Sequence, residues 1–99
     1  MKIDYRHDLT SEEAYERINN LLVDLQRKYS DKISNAEKSW NPEHTQMDYS
    51  MEIMGSKIKG QVHLRDCQIT LEGKLPFMAK MFSGKIEEMV RKRLEDLFS

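Results

Sequence analysis

The side chains that could carry out chemistry in this 99-residue sequence are few and widely spaced. His44 and His63 have no Cys, Asp or Glu at the spacing of metal ligands, so we expect no metal site. Cys67 is the only cysteine, which excludes an internal disulfide and is typical of a reducing cytoplasm. No glycine-rich run is present that could hold a phosphate, and we therefore expect no cofactor.

One acid–base pair, Asp48 and His63, is suggested by the alternation of residues 47–64, which places the two opposite each other in a hairpin. The pair would lie on the solvent face, where such a charge pair has little energetic value. No Ser, Thr or Cys has the sequence context of a nucleophile, so we expect a protein without enzymatic activity. His7 shares the parity of Ile3 and Tyr5 and is either a base in a pocket or a hydrogen-bonded histidine at the sheet end.

The elements that would position these residues begin with a strand and a helix. Apolar and charged residues alternate over residues 3–9, which is the period of a strand with one buried face. Thr10 and Glu13 form a capping box, so a helix begins there, and we expect it to end near Ser30. The apolar stripe of this helix consists of Ala14, Ile18, Leu21, Leu22, Leu25 and Tyr29.

Four further strands are predicted after this helix. The first, over residues 33–40, is expected to be poorly buried at its start and anchored by Trp40. The next three alternate over residues 47–53, 58–64 and 67–75. Their predicted turns are Gly55-Ser56 and Arg65-Asp66.

These turns predict a register for the three-stranded meander. Tyr49 faces Val62 on the apolar side, and Cys67 lies on the same side as a buried residue. On the charged side Lys59 lies between two glutamates, one of which is Glu52. A slip of one residue would destroy both patterns at once.

The last quarter of the chain, residues 75–98, has the pattern of a long amphipathic helix with Pro76 in its first turn. Gly84 within it marks a close backbone approach, a bend or a division into two shorter helices, and the sequence leaves these alternatives open. The element order is therefore β-α-β-β-β-β-α, with one apolar sheet face and one apolar stripe on each helix. This pattern predicts a two-layer α+β fold, an antiparallel β-sheet with both helices packed on one face. We expect a single domain over residues 1–99.

Large apolar side chains and lysines are concentrated in residues 75–85, and two interpretations of this run are open. Either it is the start of the last helix packed over the sheet, or part of it stays exposed to touch a lipid-like surface, a partner chain or an apolar ligand. The candidate interaction surface consists of Leu75, Phe77, Met78, Lys80, Met81, Phe82 and Lys85.

Charge and hydropathy limit the classes of partner. The formal net charge is -1 although 33% of the residues are charged, and a nucleic-acid binder usually carries a clear basic excess. No apolar stretch approaches the length of a membrane span, and the first twenty residues carry no signal-peptide core. We therefore expect no nucleic-acid partner, no membrane span and a cytoplasmic location.

The order of these elements, the Arg6-His7 pair and the Leu-Glu-Asp-Leu-Phe tail at residues 94–98 resemble the small bacterial family of polyhydroxyalkanoic acid system, or granule-region, proteins. Members are encoded near genes for polyhydroxyalkanoate storage polyester. The resemblance implies a non-enzymatic accessory role at storage granules and transfers no catalytic residue. Residues 75–82 would then meet a granule surface, a granule-associated protein or a second copy of the chain in a homodimer.

The element order also resembles a reduced helix-grip fold, as in START-type lipid-binding domains. In those domains a curved sheet wraps a long C-terminal helix around an apolar cavity. This second resemblance implies an alternative function, the binding of a small hydrophobic ligand such as an acyl chain. The candidate pocket residues are His7, Met47 and Met51.

Overall fold

The computed structural model describes residues 1–75 and 80–98 and has an antiparallel five-stranded sheet with helices on one face. Its strands are β1 (Lys2–Arg6), β2 (Ile33–Trp40), β3 (Gln46–Ile53), β4 (Ser56–Arg65) and β5 (Gln68–Lys74). The helices that lie wholly within the described residues are α1 (Ser11–Ile18), α2 (Leu21–Lys28) and α3 (Ser83–Phe98). The strand order across the sheet is β1-β5-β4-β3-β2, and the predicted α+β class is confirmed.

One apolar cluster fills the space between the sheet and the helices. The sheet contributes alternate residues of its strands, and each helix contributes the stripe at steps of three and four. The least exposed of these side chains are Ile3, Ala14, Ile18, Ile69 and Leu94, all at 0%. The opposite face of the sheet carries exposed charged residues and faces water.

The first predicted helix is divided into α1 and α2 at Asn19 and Asn20. The predicted capping box is present, because the Thr10 hydroxyl accepts the Glu13 N–H at 3.2 Å. Asn19 ends α1 because its side-chain oxygen accepts hydrogen bonds from Trp40 Nε1 at 3.0 Å and Lys38 Nζ at 3.1 Å. Asparagine competes in this way with helical hydrogen bonding, so the predicted continuous helix was wrong at this point.

The start of β2 is buried, contrary to the sequence prediction. Ile33 is 3% exposed, and the register against β3 shifts between Ser34 and Glu37. Asn35 lies in this irregularity with φ 51°, the left-handed conformation that asparagine tolerates. The extra residue brings both Ile33 and Trp40 to the inner face, although they have opposite parity in the sequence.

The β3–β4 hairpin turns at Met54-Gly55 rather than at Gly55-Ser56, so its register differs by two residues from the prediction. Met54 and Gly55 have φ of 52° and 84°, as a two-residue turn with both central residues left-handed requires. Tyr49 consequently lies opposite Gly60 instead of Val62. Its hydroxyl donates to the Glu72 carbonyl at 2.8 Å, and the ring uses the space that a side chain at position 60 would fill.

The β4–β5 hairpin turns at Asp66-Cys67, one residue later than predicted. Its register therefore also differs by two residues from the prediction. Cys67 is therefore exposed in the turn with φ 64°, and its predicted burial was wrong. Lys59 lies opposite Ser50 and Lys74, so the predicted arrangement between two glutamates was also wrong. The turn is held by hydrogen bonds to the segment before α1, because the Cys67 N–H donates to the Leu9 carbonyl at 2.9 Å.

Helix α3 spans Ser83–Phe98 and is separated by a turn from Lys80, which is helical, so the last quarter of the chain is not one continuous helix. Met81 and Phe82 lie in a turn before it, while Pro76, Phe77 and Met78 lie outside the described residues. The buried face of α3 is formed by Ile86, Val90 and Leu94. Within residues 1–75 and 80–98, no helix is long and apolar enough to cross a membrane.

Candidate functional site

A cleft of about 570 Å³ opens at the end of the sheet where the β3–β4 hairpin turns. Tyr29, after α2, contributes to one side, and the first three turns of α3 contribute to the other. Deeper in the molecule the two helices are joined by an ion pair of 3.0 Å between Arg93 and Asp24. We call this opening between Tyr29, the hairpin turn and α3 the hairpin cleft.

The hairpin cleft has an apolar floor and an apolar rim. The floor includes the half-buried Ile53 and Met89 and the buried Ile86. The rim carries Met54, which is 64% exposed, and Phe82, which is 46% exposed. Apolar side chains that remain exposed at a concave site are typical of a binding surface.

Charged groups at the mouth of the hairpin cleft are predominantly positive. The described residues that line it include three lysines, Lys32, Lys85 and Lys92, and a single carboxylate, Glu88. The lining therefore has an excess of two positive charges. All four side chains are exposed, and none makes an ion pair with another described residue. A negatively charged group at the mouth would therefore meet lysines that are free to reach it.

A second, smaller void lies under α3 within the core. Its volume is about 40 Å³, and Met47 and Met51 line it. It shares Ile53, Ile86 and Met89 with the hairpin cleft, so these three side chains separate the two spaces.

His7 lies at the other end of α3, apart from Met47 and Met51. Its ring stacks on Phe98 with the centroids 4.7 Å apart. Nδ1 accepts the Leu9 N–H at 3.0 Å, so the neutral ring carries its proton on Nε2, which is buried and has no partner among the described residues. Burial lowers the pKa of His7 below its usual value, partly opposed by Asp8, and favours this neutral form.

The predicted interaction surface is distributed over two places. Phe82 and Lys85 line the hairpin cleft, and the neighbouring Met81 is 78% exposed. Leu75 and Lys80 line a separate shallow depression beside Met1. The predicted members Phe77 and Met78 lie outside the described residues.

The sequence interpretation missed the part of the cleft that comes from the hairpin and from α2. Met54 could have been found from a turn prediction one residue earlier, because a methionine beside Gly55 at a hairpin tip is exposed. Tyr29 and Lys32 carry no such signal, since only the packing of α2 beside the hairpin brings them to the cleft.

No reactive pair forms from the other residues considered above. Asp48 lies opposite Gln61, whose side-chain amide donates to it at 3.0 Å, so the predicted pairing with His63 was wrong. His44 stacks on Tyr15 with ring centroids 4.0 Å apart. Within the part of the chain that the structure describes, no group of three His, Cys, Asp or Glu residues could hold a metal ion.

Comparison with known proteins identifies a family. The family model described as polyhydroxyalkanoic acid system protein matches residues 1–98, which confirms the resemblance seen in the element order and the C-terminal tail. No curated protein and no solved structure matches the chain. The match links the chain to polyhydroxyalkanoate storage in general terms.

Proposed function

The chain belongs to the family of polyhydroxyalkanoic acid system proteins, and from this premise we propose that it is a non-enzymatic, cytoplasmic accessory protein of polyester storage. In this proposal it binds the apolar surface of the storage granule through the rim of the hairpin cleft. Met54 and Phe82 form this rim, and Met81 lies next to Phe82 in the chain with 78% of its surface exposed. We define these three residues together as the apolar rim.

The observation that carries the proposal is the conformation of Met54. A left-handed backbone costs a residue with a side chain about 1–2 kcal/mol, and asparagine or glycine normally occupies this position of a two-residue turn. Met54 has φ 52° and leaves 64% of its surface exposed. Packing of its side chain in the core therefore does not offset the cost of this backbone conformation. A large apolar side chain that is exposed beside a cleft, at a backbone position that disfavours it, supports a role in binding.

The chemistry of the hairpin cleft suits adsorption to an apolar material. Methionine and phenylalanine side chains adapt to an irregular apolar surface, and each contributes free energy in proportion to the area it loses to water. The described residues that line the cleft include no histidine and no cysteine. Glu88, the one carboxylate among them, is exposed at the mouth rather than placed beside a second acid or base.

Localisation in a polymer-accumulating cell tests the proposal. A fluorescent fusion of the native chain is expected to collect at granules as polymer forms. The double variant Met54→Asn/Phe82→Ser removes most of the apolar rim, and its granule-bound fraction should fall by more than about tenfold. Asparagine is a preferred residue at this position of the turn, so the loss would not reflect unfolding.

The matched control is Val23→Gln, which removes another exposed apolar side chain, at 45% exposure on α2 and outside the cleft. This variant should localise as the native chain does. A native fusion that stays diffuse whether or not granules form would contradict the proposal. Equal loss in both variants would show that binding depends on general surface hydrophobicity rather than on the apolar rim.

A further inference from the structure

We propose that the hairpin cleft binds one medium-chain carboxylate, with its acyl chain along the apolar floor and its carboxylate among the lysines of the mouth. The inference rests on the proposed function, because it uses the same cleft, and it names the class of molecule that the cleft accepts. It commits to a free acid of about eight to twelve carbons, a length that suits a cleft within the usual range of ligand sites.

The apolar part of the ligand is specified by the floor. Ile53, Ile86 and Met89 offer aliphatic contacts, and Phe82 and Met54 stand at the sides with much of their surface in water. An acyl chain placed there removes apolar surface of both partners from water. Each methylene that becomes buried should strengthen binding about fourfold.

The charged part of the ligand is specified by the mouth. Lys32 comes from the segment after α2, whereas Lys85 and Lys92 lie two turns apart on α3, so lysines from two elements line the opening. Their side chains have no ion-pair partner among the described residues. A carboxylate complements this excess of positive charge, whereas a cationic head group would be repelled.

The volume of the cleft suits a single acyl chain. About 570 Å³ lies within the range of small-molecule sites, and the void of about 40 Å³ beneath Ile86 and Met89 gives these side chains room to move aside. The opening of the cleft towards solvent leaves the head group hydrated. Attraction at an exposed mouth is therefore modest, and we expect each lysine to change affinity about two- to fivefold.

Titration of the ¹⁵N-labelled full chain with decanoate, below its micelle concentration, tests the inference by NMR. Amide shifts should change at residues 53–56 and 82–92 and remain unchanged at the β4–β5 turn. Decanoate should bind about 250-fold more tightly than hexanoate. It should also bind more tightly than decanol, and decyltrimethylammonium should bind more weakly than either ten-carbon ligand.

The triple variant Lys32→Gln/Lys85→Gln/Lys92→Gln should lose the preference for decanoate over decanol. A matched triple variant, Lys57→Gln/Lys59→Gln/Lys74→Gln, removes three exposed lysines at other positions and should keep that preference. The dispersion of the NMR spectrum shows directly whether each variant is folded.

Three results would overturn the inference: no shift change at the cleft with millimolar decanoate, equal binding of the cationic amphiphile, or loss of the carboxylate preference in the control triple variant. The result is separable from that for granule localisation. Decanoate binding without localisation would overturn the proposed function alone, and localisation without decanoate binding would overturn this inference alone.

Discussion

The two ends of the apolar core differ in how they meet water. At the closed end, the β4–β5 turn is bonded to the start of α1, where the Ser11 N–H donates to the Asp66 carboxylate at 2.8 Å. Phe98 of α3 covers the same end by stacking on His7 and lying 5.8 Å, between ring centroids, from Tyr5. Polar turns and aromatic rings together exclude water from the core there.

The open end is the end at which the β3–β4 hairpin turns. Here Met54 and Phe82 stand exposed on either side of the hairpin cleft. Backbone hydrogen bonds do hold the strands together, because the Met54 N–H donates to the Lys32 carbonyl at 2.8 Å. The difference teaches that stability is concentrated at the closed end, while the open end retains apolar surface that is available to a ligand or a granule.

The largest effect is expected from a pair of glycine substitutions in the packed and open regions. A Cβ at Gly60 would overlap the Glu72 carbonyl oxygen and come within 2.5 Å of the Tyr49 hydroxyl, whereas a Cβ at Gly84 meets nothing within 4 Å. Gly60→Ala should lower the free energy of unfolding by about 3 kcal/mol. Gly84→Ala, in the first turn of α3, should raise it by up to about 1 kcal/mol. Urea denaturation measures both, and similar losses in the two variants would remove the distinction between the regions.

The next largest effect compares two phenylalanines at the two ends of α3. Phe98→Ala removes the ring stacked on His7 and should cost about 2 kcal/mol of unfolding free energy. Phe82→Ala, at a ring that is 46% exposed, should cost less than about 1 kcal/mol. Thermal and urea unfolding measure the loss of unfolding free energy in the two variants. Equal losses for Phe82→Ala and Phe98→Ala would contradict the difference between the two ends.

Met54→Asn should have a smaller effect of opposite sign. Asparagine adopts the left-handed backbone of Met54 more readily, and Asn-Gly is a preferred pair in this type of turn. The unfolding free energy should therefore rise by about 1 kcal/mol or less. Met54→Ala serves as the control, because alanine gives no such preference. A loss of stability in Met54→Asn would mean that the exposed methionine contributes to folding after all.

The smallest effect concerns pH at the closed end. The folded-state pKa of His7 is lowered by burial from its ordinary value of 6.5, so the unfolded chain binds the proton more readily. The stability that the folded protein gains from holding His7 neutral is fully present above about pH 6.5, and it is lost as the pH falls through the folded-state pKa of His7. His7→Asn retains an acceptor for the Leu9 N–H and should flatten that part of the stability profile between pH 7.5 and pH 5 (about the range in which histidine titrates). An unchanged slope in His7→Asn would assign the pH dependence to other groups.

The inner face of the sheet could be predicted from the sequence, but the register could not. Tyr49 and Val62 point inward as their parity indicates, since alternation alone determines the face. A slip of two residues leaves every side chain on its face, and so the apolar pattern carries no information about it. The register follows from the left-handed turn at Met54-Gly55 and from the space over Gly60 that the Tyr49 ring fills.

The candidate site was partly accessible to the same reasoning. Phe82 and Lys85 belong to a dense apolar run with lysines, which is a local signal. Tyr29, Lys32 and Met54 reach the cleft from other elements, and their proximity is a property of the packed fold alone. Burial at the start of β2 was missed for a related reason, because the bulge at Asn35 reverses parity without any change in hydrophobic pattern.

Hydrogen–deuterium exchange of the native chain with and without isolated polyester granules tests the central claim most directly. The account predicts slower exchange of backbone amides at residues 53–56 and 82–89 when granules are present, and unchanged exchange at the β4–β5 turn and at the end of α3. Protection at the closed end or on the outer face of the sheet, with none around the hairpin cleft, would contradict it.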